Sequence, residues 1–177
     1  IIVIDDGSTD GTAEIIRKWS SPHNTRIHIL PLYPGLGKKA ALSTGIQQAT
    51  GEYIVCTDAD CAPPRDWLLL IAQALAQPQV KMVTGPVVFH REQSLLEWFQ
   101  SLDLLGMMGI TASGIHWRWQ NMANGANLAY PKSVFLAVHG YEGNAHIASG
   151  DDLFLVQKVA QKWPGSVFFL KTPAAAV

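Results

Sequence analysis

The sequence predicts an α/β domain with a mostly parallel central sheet flanked by helices. Three observations lead there. Ile1-Ile2-Val3-Ile4 and Tyr53-Ile54-Val55-Cys56 are short continuous apolar runs, the pattern of strands buried on both faces. Segments of helical period alternate with such runs through the first half of the chain. Both runs lead directly into acids, Asp5-Asp6 and Asp58-Ala59-Asp60, at the strand ends where open α/β sheets take their ligands.

After the first strand, Asp5 to Thr12 is rich in turn and capping residues, and one of Ser8, Thr9 or Asp10 is expected to cap the next helix. That helix shows Thr12, Ile15, Ile16 and Trp19 at helical spacing, with Glu14 four residues before Lys18. Arg26 to Leu30 alternates as a short strand, and a Pro/Gly loop over 31–37 follows. Lys38 and Lys39 open a helix that Gly51 stops. Two cations at a helix start oppose its macrodipole, which fits either an anion nearby or a solvated basic turn.

Beyond Asp60, Pro63 and Pro64 precede a helix from about Arg65 to Ala76. Met82 to Phe89, broken by Gly85-Pro86, reads as a kinked strand or two short ones. Ser94 to about Ile110 is helical and too apolar for one buried stripe; it is expected to cross the core or to face a membrane or an absent segment. Trp117 and Trp119 are candidates for stacking on a sugar face, with simple packing the alternative for one of them. Leu128 to Tyr130 is a short strand, Ser133 to Val138 a brief helix, Asp151-Asp152 the start of another, and Val167 to Leu170 the last strand.

Composition narrows the function classes. A chain of 177 residues is expected to form one domain, 1–177. Only 15% of residues are charged, against the usual quarter or so. The net charge of -1 gives no reason to expect a nucleic-acid partner. Cys56 and Cys61 are too few for a disulfide framework or a zinc site, so a reduced, cytoplasmic setting is expected. No apolar run reaches 18 residues, so none is expected to span a bilayer. The start inside a strand, at Ile1 rather than Met, suggests an excerpt, incomplete at both ends.

Asp58 and Asp60, one residue apart, repel each other unless a cation lies between or beside them; a hard divalent ion shared with a phosphate is the economical one, and an ordinary acidic strand-to-loop turn is the alternative. Three acidic sites thus stand in order: Asp5-Asp6, Asp58-Ala59-Asp60 and Asp151-Asp152.

These motifs carry a resemblance. Val3-Ile4-Asp5-Asp6-Gly7-Ser8-Thr9-Asp10-Gly11-Thr12, Gly51-Glu52-Tyr53-Ile54 leading to Asp58-Ala59-Asp60, Gly125-Ala126-Asn127-Leu128-Ala129-Tyr130, and Gly150-Asp151-Asp152 together resemble the family 2 inverting glycosyltransferases of GT-A fold. That family includes cellulose, chitin and hyaluronan synthases. The resemblance implies a nucleotide-sugar donor, most often a UDP-sugar, and a saccharide or lipid-linked acceptor in polysaccharide or cell-envelope synthesis. It implies that Asp6 accepts the uracil N–H, that Asp5 supports its loop, and that Asp58 lies near the ribose and sugar. Asp60 would hold Mn²⁺ or Mg²⁺, and Asp152, with Asp151 beside it, would be the general base. Ser8, Lys38, Lys39, Gly125 and Asn127 join Trp117 and Trp119 as expected substrate-binding residues. The Gln-x-x-Arg-Trp motif of processive members is absent, so processivity is open. Any membrane contact is expected through segments outside this stretch, at the cytoplasmic face.

Two rivals are weighed. A haloacid-dehalogenase-type phosphatase also carries Asp-x-Asp at a strand end and a late Gly-Asp-Asp, with Asp58 as nucleophile. It leaves Asp5-Asp6-Gly7-Ser8 unexplained and departs at Cys61. A non-catalytic module that binds a nucleotide-sugar without turnover is the other.

Overall fold

The computed structural model describes residues 1–20, 27–31, 37–143 and 150–177. The chain falls into two compact units interleaved in sequence. The first holds Ile1–Gly51 and Tyr141–Asp151, the second Glu52–Gly140 and Asp152–Val177.

In the first unit, β1 (Ile2–Asp5) pairs in parallel with β2 (His28–Pro31), with Asp5 opposite Pro31. Between them runs α1 (Thr12–Ser20), capped as expected by Asp10, whose Oδ1 accepts from the Thr12 N–H. Arg26, where the strand was expected to begin, lies outside the described residues, as do Pro34 and Gly35 of the expected loop. α2 (Gly37–Gln48) packs on β1. The contact is close at Gly45, where a Cβ would stand 2.6 Å from Ile4 Cδ1.

The second unit is built on a four-stranded sheet in the order β3-β5-β4-β6, from β3 (Tyr53–Cys56), β4 (Met82–Thr84), β5 (Leu128–Pro131) and β6 (Val167–Phe169). β4 and β6 are parallel; β5 runs antiparallel to both neighbours. The α/β class holds, and the direction of β5 adds an antiparallel element to the parallel pairing expected. Buried apolar runs do not reveal direction, and β5 enters from a one-turn helix rather than from a βαβ crossover. Leu128, Ala129 and Tyr130 are all buried, as a central strand requires.

α3 (Trp67–Leu75) turns Trp67, Ile71, Ala74 and Leu75 inward at helical spacing, onto Val83, Ala126 and Ala129. α5 (Lys132–Ala137) packs on β5, and α6 (Asp151–Lys162) buries Leu155, Val156 and Val159 completely. Tyr130 stacks on Phe135 of α5 at 6.0 Å between ring centroids.

α4 (Leu95–Trp117) is longer than its sequence suggests. Ser94 and Glu97 form a reciprocal capping box at its start. Its end was expected near Ile110, where the near-continuous apolar stretch stops. Packing carries the helix further, burying Met108, Thr111 and Ile115 on one face. Arg118, left-handed at φ 57°, closes the helix. Outward, Leu95, Leu96, Trp98, Phe99, Leu102, Leu105 and Ile110 are exposed, Leu95 at 90%. Such a face exceeds what scattered surface apolar residues explain. Among the described residues, no helix is long and apolar enough to cross a membrane.

Candidate active site

Strand register sets the site in the second unit. Cys56 at the end of β3 lies opposite Leu128 at the start of β5, and Thr84 at the end of β4 faces Leu128 from the other side. Phe169 at the end of β6 pairs with Thr84. The carboxyl ends of β3, β4 and β6 and the amino end of β5 therefore share one end of the sheet. That end is where α/β sheets bind ligands.

Asp58-Ala59-Asp60 leaves β3 there as a tight turn, closed by the Cys61 N–H donating to the Asp58 carbonyl at 3.2 Å. Asp60 is exposed on this turn and Asp58 half-buried. The one-turn helix Gly125–Asn127 enters β5 at the same end, with Asn124 capping it through a 3.0 Å bond from the Ala126 N–H. The first amide of that turn, Gly125 N–H, donates to Asp152 Oδ2 at 2.9 Å. Asp152 Oδ1 accepts from the Leu153 N–H at 2.7 Å. The carboxylate is thus oriented by two backbone donors, and each oxygen retains a second lone pair. Asp151 is buried, whereas Asp152 is half-buried.

Three expected binding residues have a different setting from the one foreseen. Asn127 is 1% exposed, and its amide is committed internally. Its Oδ1 accepts from Trp67 Nε1 at 3.0 Å, and its Nδ2 donates to the carbonyls of Pro86 at 2.9 Å and Ala175 at 2.7 Å. Asn127 thus ties three segments of the second unit together. The Gly125 N–H is engaged by Asp152, so Gly125 orients an acid. Lys39 is buried, and Lys38 is exposed at the helix start. Both tryptophans are exposed, Trp117 at 74% and Trp119 at 65%, so the packing alternative applies to neither.

In the first unit, Asp5 ends β1 and turns back on its loop, accepting from the Ser8 N–H at 2.9 Å. The Ser8 side chain and backbone bonds hold the Asp5 carboxyl below its usual value, and Thr12 does the same for Asp10. Ser8 is thereby tied to the loop, and Asp6 beside it is exposed.

Trp67, Thr84 and Asn124 were not expected at the site. The available signal was Asn127 itself, an amide within a buried run, which must find partners. Cys56 and Cys61 form no disulfide, and Cys56 Sγ lies 3.9 Å from the Tyr130 hydroxyl. Among the described residues, no three His, Cys, Asp or Glu side chains cluster as a metal cage. The acids of the β3 turn offer hard oxygen donors, and an ion shared with a diphosphate needs only one or two of them.

Known proteins match this chain in sequence and in fold. The poly-beta-1,6-N-acetyl-D-glucosamine synthase of Staphylococcus epidermidis is 34% identical over 110 residues, covering 62% of this chain and 26% of that protein. The chain thus spans about a quarter of the curated relatives it matches. The mannosyltransferase PcManGT of Pyrobaculum calidifontis, solved with GDP-Man and Mn²⁺, superposes with a TM-score of 0.71 at 25% identity, over 99% of this chain and 46% of that one. Staphylococcus aureus TarS 1-349 superposes at 0.70 with 17% identity, over 98% of this chain and 49% of that one. These neighbours share the GT-A fold. The Glycosyl transferase family 2 model matches residues 1–139, and the chain belongs to that family.

Proposed function

We propose that this chain forms the catalytic domain of an inverting glycosyltransferase, moving a sugar from a nucleotide-sugar, preferentially a UDP-sugar, to a hydroxyl of a saccharide or lipid-linked acceptor. The observation that carries the reading is the convergence of Asp58, Asp60, Gly125 and Asp152 at one end of the β3-β5-β4-β6 sheet. Asp152 accepts the acceptor hydroxyl's proton as that oxygen attacks the anomeric carbon. The bond from that carbon to the diphosphate breaks, and the nucleoside diphosphate leaves. Attack opposite the leaving group inverts the anomeric centre. The two backbone donors leave lone pairs on Asp152 for this proton, whereas burial keeps Asp151 from the role.

Asp60, with Asp58 beside it, would hold Mn²⁺ or Mg²⁺, whose chemistry is to neutralise the leaving diphosphate. Asp6 would receive the base and Asp5 would support its loop, and Ser8, Lys38 and Lys39 would contribute to donor binding. Trp117 and Trp119 offer exposed rings to a saccharide. TarS has been solved with UDP and with UDP-GlcNAc, and the Staphylococcus relative is a poly-N-acetylglucosamine synthase, so UDP-GlcNAc is the first donor to test. A single catalytic domain at the cytoplasmic side of a membrane, serving envelope polysaccharide synthesis, belongs to the same proposal.

The test measures nucleotide release by the full-length enzyme from UDP-GlcNAc and GDP-mannose, with and without Mn²⁺, alongside calorimetry of UDP binding. Metal-dependent UDP release, and loss of the metal effect on UDP affinity in Asp60→Ala, are expected. A folded enzyme that binds these nucleotide-sugars but releases no nucleotide and transfers no sugar would instead be the non-catalytic module.

A further inference from the structure

Asn127 joins more of the second unit than any motif suggests. Its side chain bonds Trp67 at the start of α3, Pro86 after β4, and Ala175 in the last turn. Its carbonyl accepts from the Thr84 hydroxyl and the Gly85 N–H, each at 3.1 Å. Its own N–H donates to Asn124 O at 3.0 Å, closing the turn that holds Gly125. Both amide hydrogens and the oxygen are therefore used, at a residue 1% exposed. Gly85 has no side chain where one would collide: a Cβ there would lie 2.5 Å from Asn127 Nδ2 and 2.9 Å from Cγ. Two residues before Asn127, the Gly125 N–H orients Asp152.

We infer that Asn127, locked by the Trp67 indole, is a positioning residue that sets the angle of the Asp152 carboxylate through the Gly125 turn. The inference rests on the reading of Asp152 as general base. Trp67 begins the helix after the Asp58–Cys61 turn, so one side chain ties that helix to the short turn whose Gly125 N–H holds the base. A buried network with every partner satisfied has one arrangement, and removing one partner leaves others unpaired and free to shift. Misplacing a reacting group by about 1 Å can lower a rate about a hundredfold.

Two variants disturb Asn127 from different sides. Trp67→Phe removes the indole N–H together with part of the ring volume and leaves a phenyl in the core, so its melting temperature reports the packing lost. Gly85→Ala pushes a methyl into the amide. Full-length variants are assayed for kcat, donor KM and melting temperature, with Asp152→Asn and Ile71→Val as references. Ile71 lies in the same core cluster and makes no side-chain hydrogen bond, so it reports stability loss alone. The expected result is a roughly ten- to hundredfold lower kcat in both variants, donor KM within about twofold of the parent, and parental kcat in Ile71→Val. Folded Trp67→Phe with kcat within threefold of the parent, while Asp152→Asn is inactive, would overturn the positioning role and leave the base intact. Parental turnover in Asp152→Asn would remove the base and the positioning role together.

Discussion

Gly140→Ala should be among the most destabilising single-methyl changes in the second unit. Gly140 follows α5 with φ +45°, in the left-handed region that side chains disfavour. Its N–H donates to Phe135 O at 2.9 Å, and Lys158 Nζ donates to its carbonyl at 2.8 Å, so the backbone cannot readily turn away. A Cβ there would overlap the Phe135 ring, with Cε1 at 2.7 Å and Cε2 at 3.1 Å. That ring is held by its stack on fully buried Tyr130. Backbone strain at such a site costs about 1–2 kcal/mol and overpacking a further 1–3 kcal/mol, giving roughly 2–5 kcal/mol in all. For a chain of this size that corresponds to a fall in melting temperature of roughly 5–15 °C. Gly165→Ala separates the two causes. Gly165 also has a positive φ, at +78°, but a Cβ there meets the movable end of Arg118, 3.0 Å away at Cζ. Its loss should be about 1–2 kcal/mol, strain alone. Thermal and urea unfolding followed by circular dichroism would measure both. Phe135→Leu combined with Gly140→Ala should recover at least about 1 kcal/mol relative to additivity. Equal losses at the two glycines, or strict additivity of the pair, would refute the assigned clash.

Two further outcomes can be checked. Hydrogen bonds from Ser8 and Thr12 depress the Asp5 and Asp10 carboxyls in the fold, so their contribution is fully present above the ordinary value of 3.8 and lost as pH falls through the lower folded values. NMR titration should show the Ser8 and Thr12 amides moving together only below that pH, and the movement should vanish in Asp5→Asn and Asp10→Asn; a transition centred above 3.8 would contradict it. Glu in place of Phe99 and Leu102 on the outward face of α4 should lower binding of an apolar fluorescent dye by more than half with little change in melting temperature, because both side chains are already about two-thirds exposed. A large stability loss would mean that this face is covered.

Strand ends and helix faces were legible because each follows from local chemistry. Ile1–Ile4 and Tyr53–Cys56 are apolar without interruption, and the strands end within a residue of where that pattern stops. Asp10 could be placed among the caps because short acceptors before a helical period have few other uses. The reversed direction of β5 and the extension of α4 through Trp117 were not legible. Both depend on partners distant in sequence: Tyr130 against Ile54, and Gly114 beneath the Gln120 backbone. The acids of the site were readable as residue types. The commitment of Asn127 to the interior was not, since Trp67, Pro86 and Ala175 reach it from three separate segments. An exposed amide and a buried one are written with the same letter.

The placement of β5 bears on how the chain is made. β3 leaves the ribosome with its sheet partner still some seventy residues away, and β4 about forty-five. Until β5 arrives, neither can pair as it does in the finished sheet, and β6 comes later still. Long-range pairing of this kind slows folding and leaves unpaired strand edges open to association. During synthesis the turn before β5 and the acid it orients are thus completed late, so a nascent chain halted before Leu128 would lack both the sheet's centre and its chemistry. Folding yield should then depend on elongation rate and chaperone supply over the stretch between Cys56 and Leu128 more than on any change within the β3 turn itself.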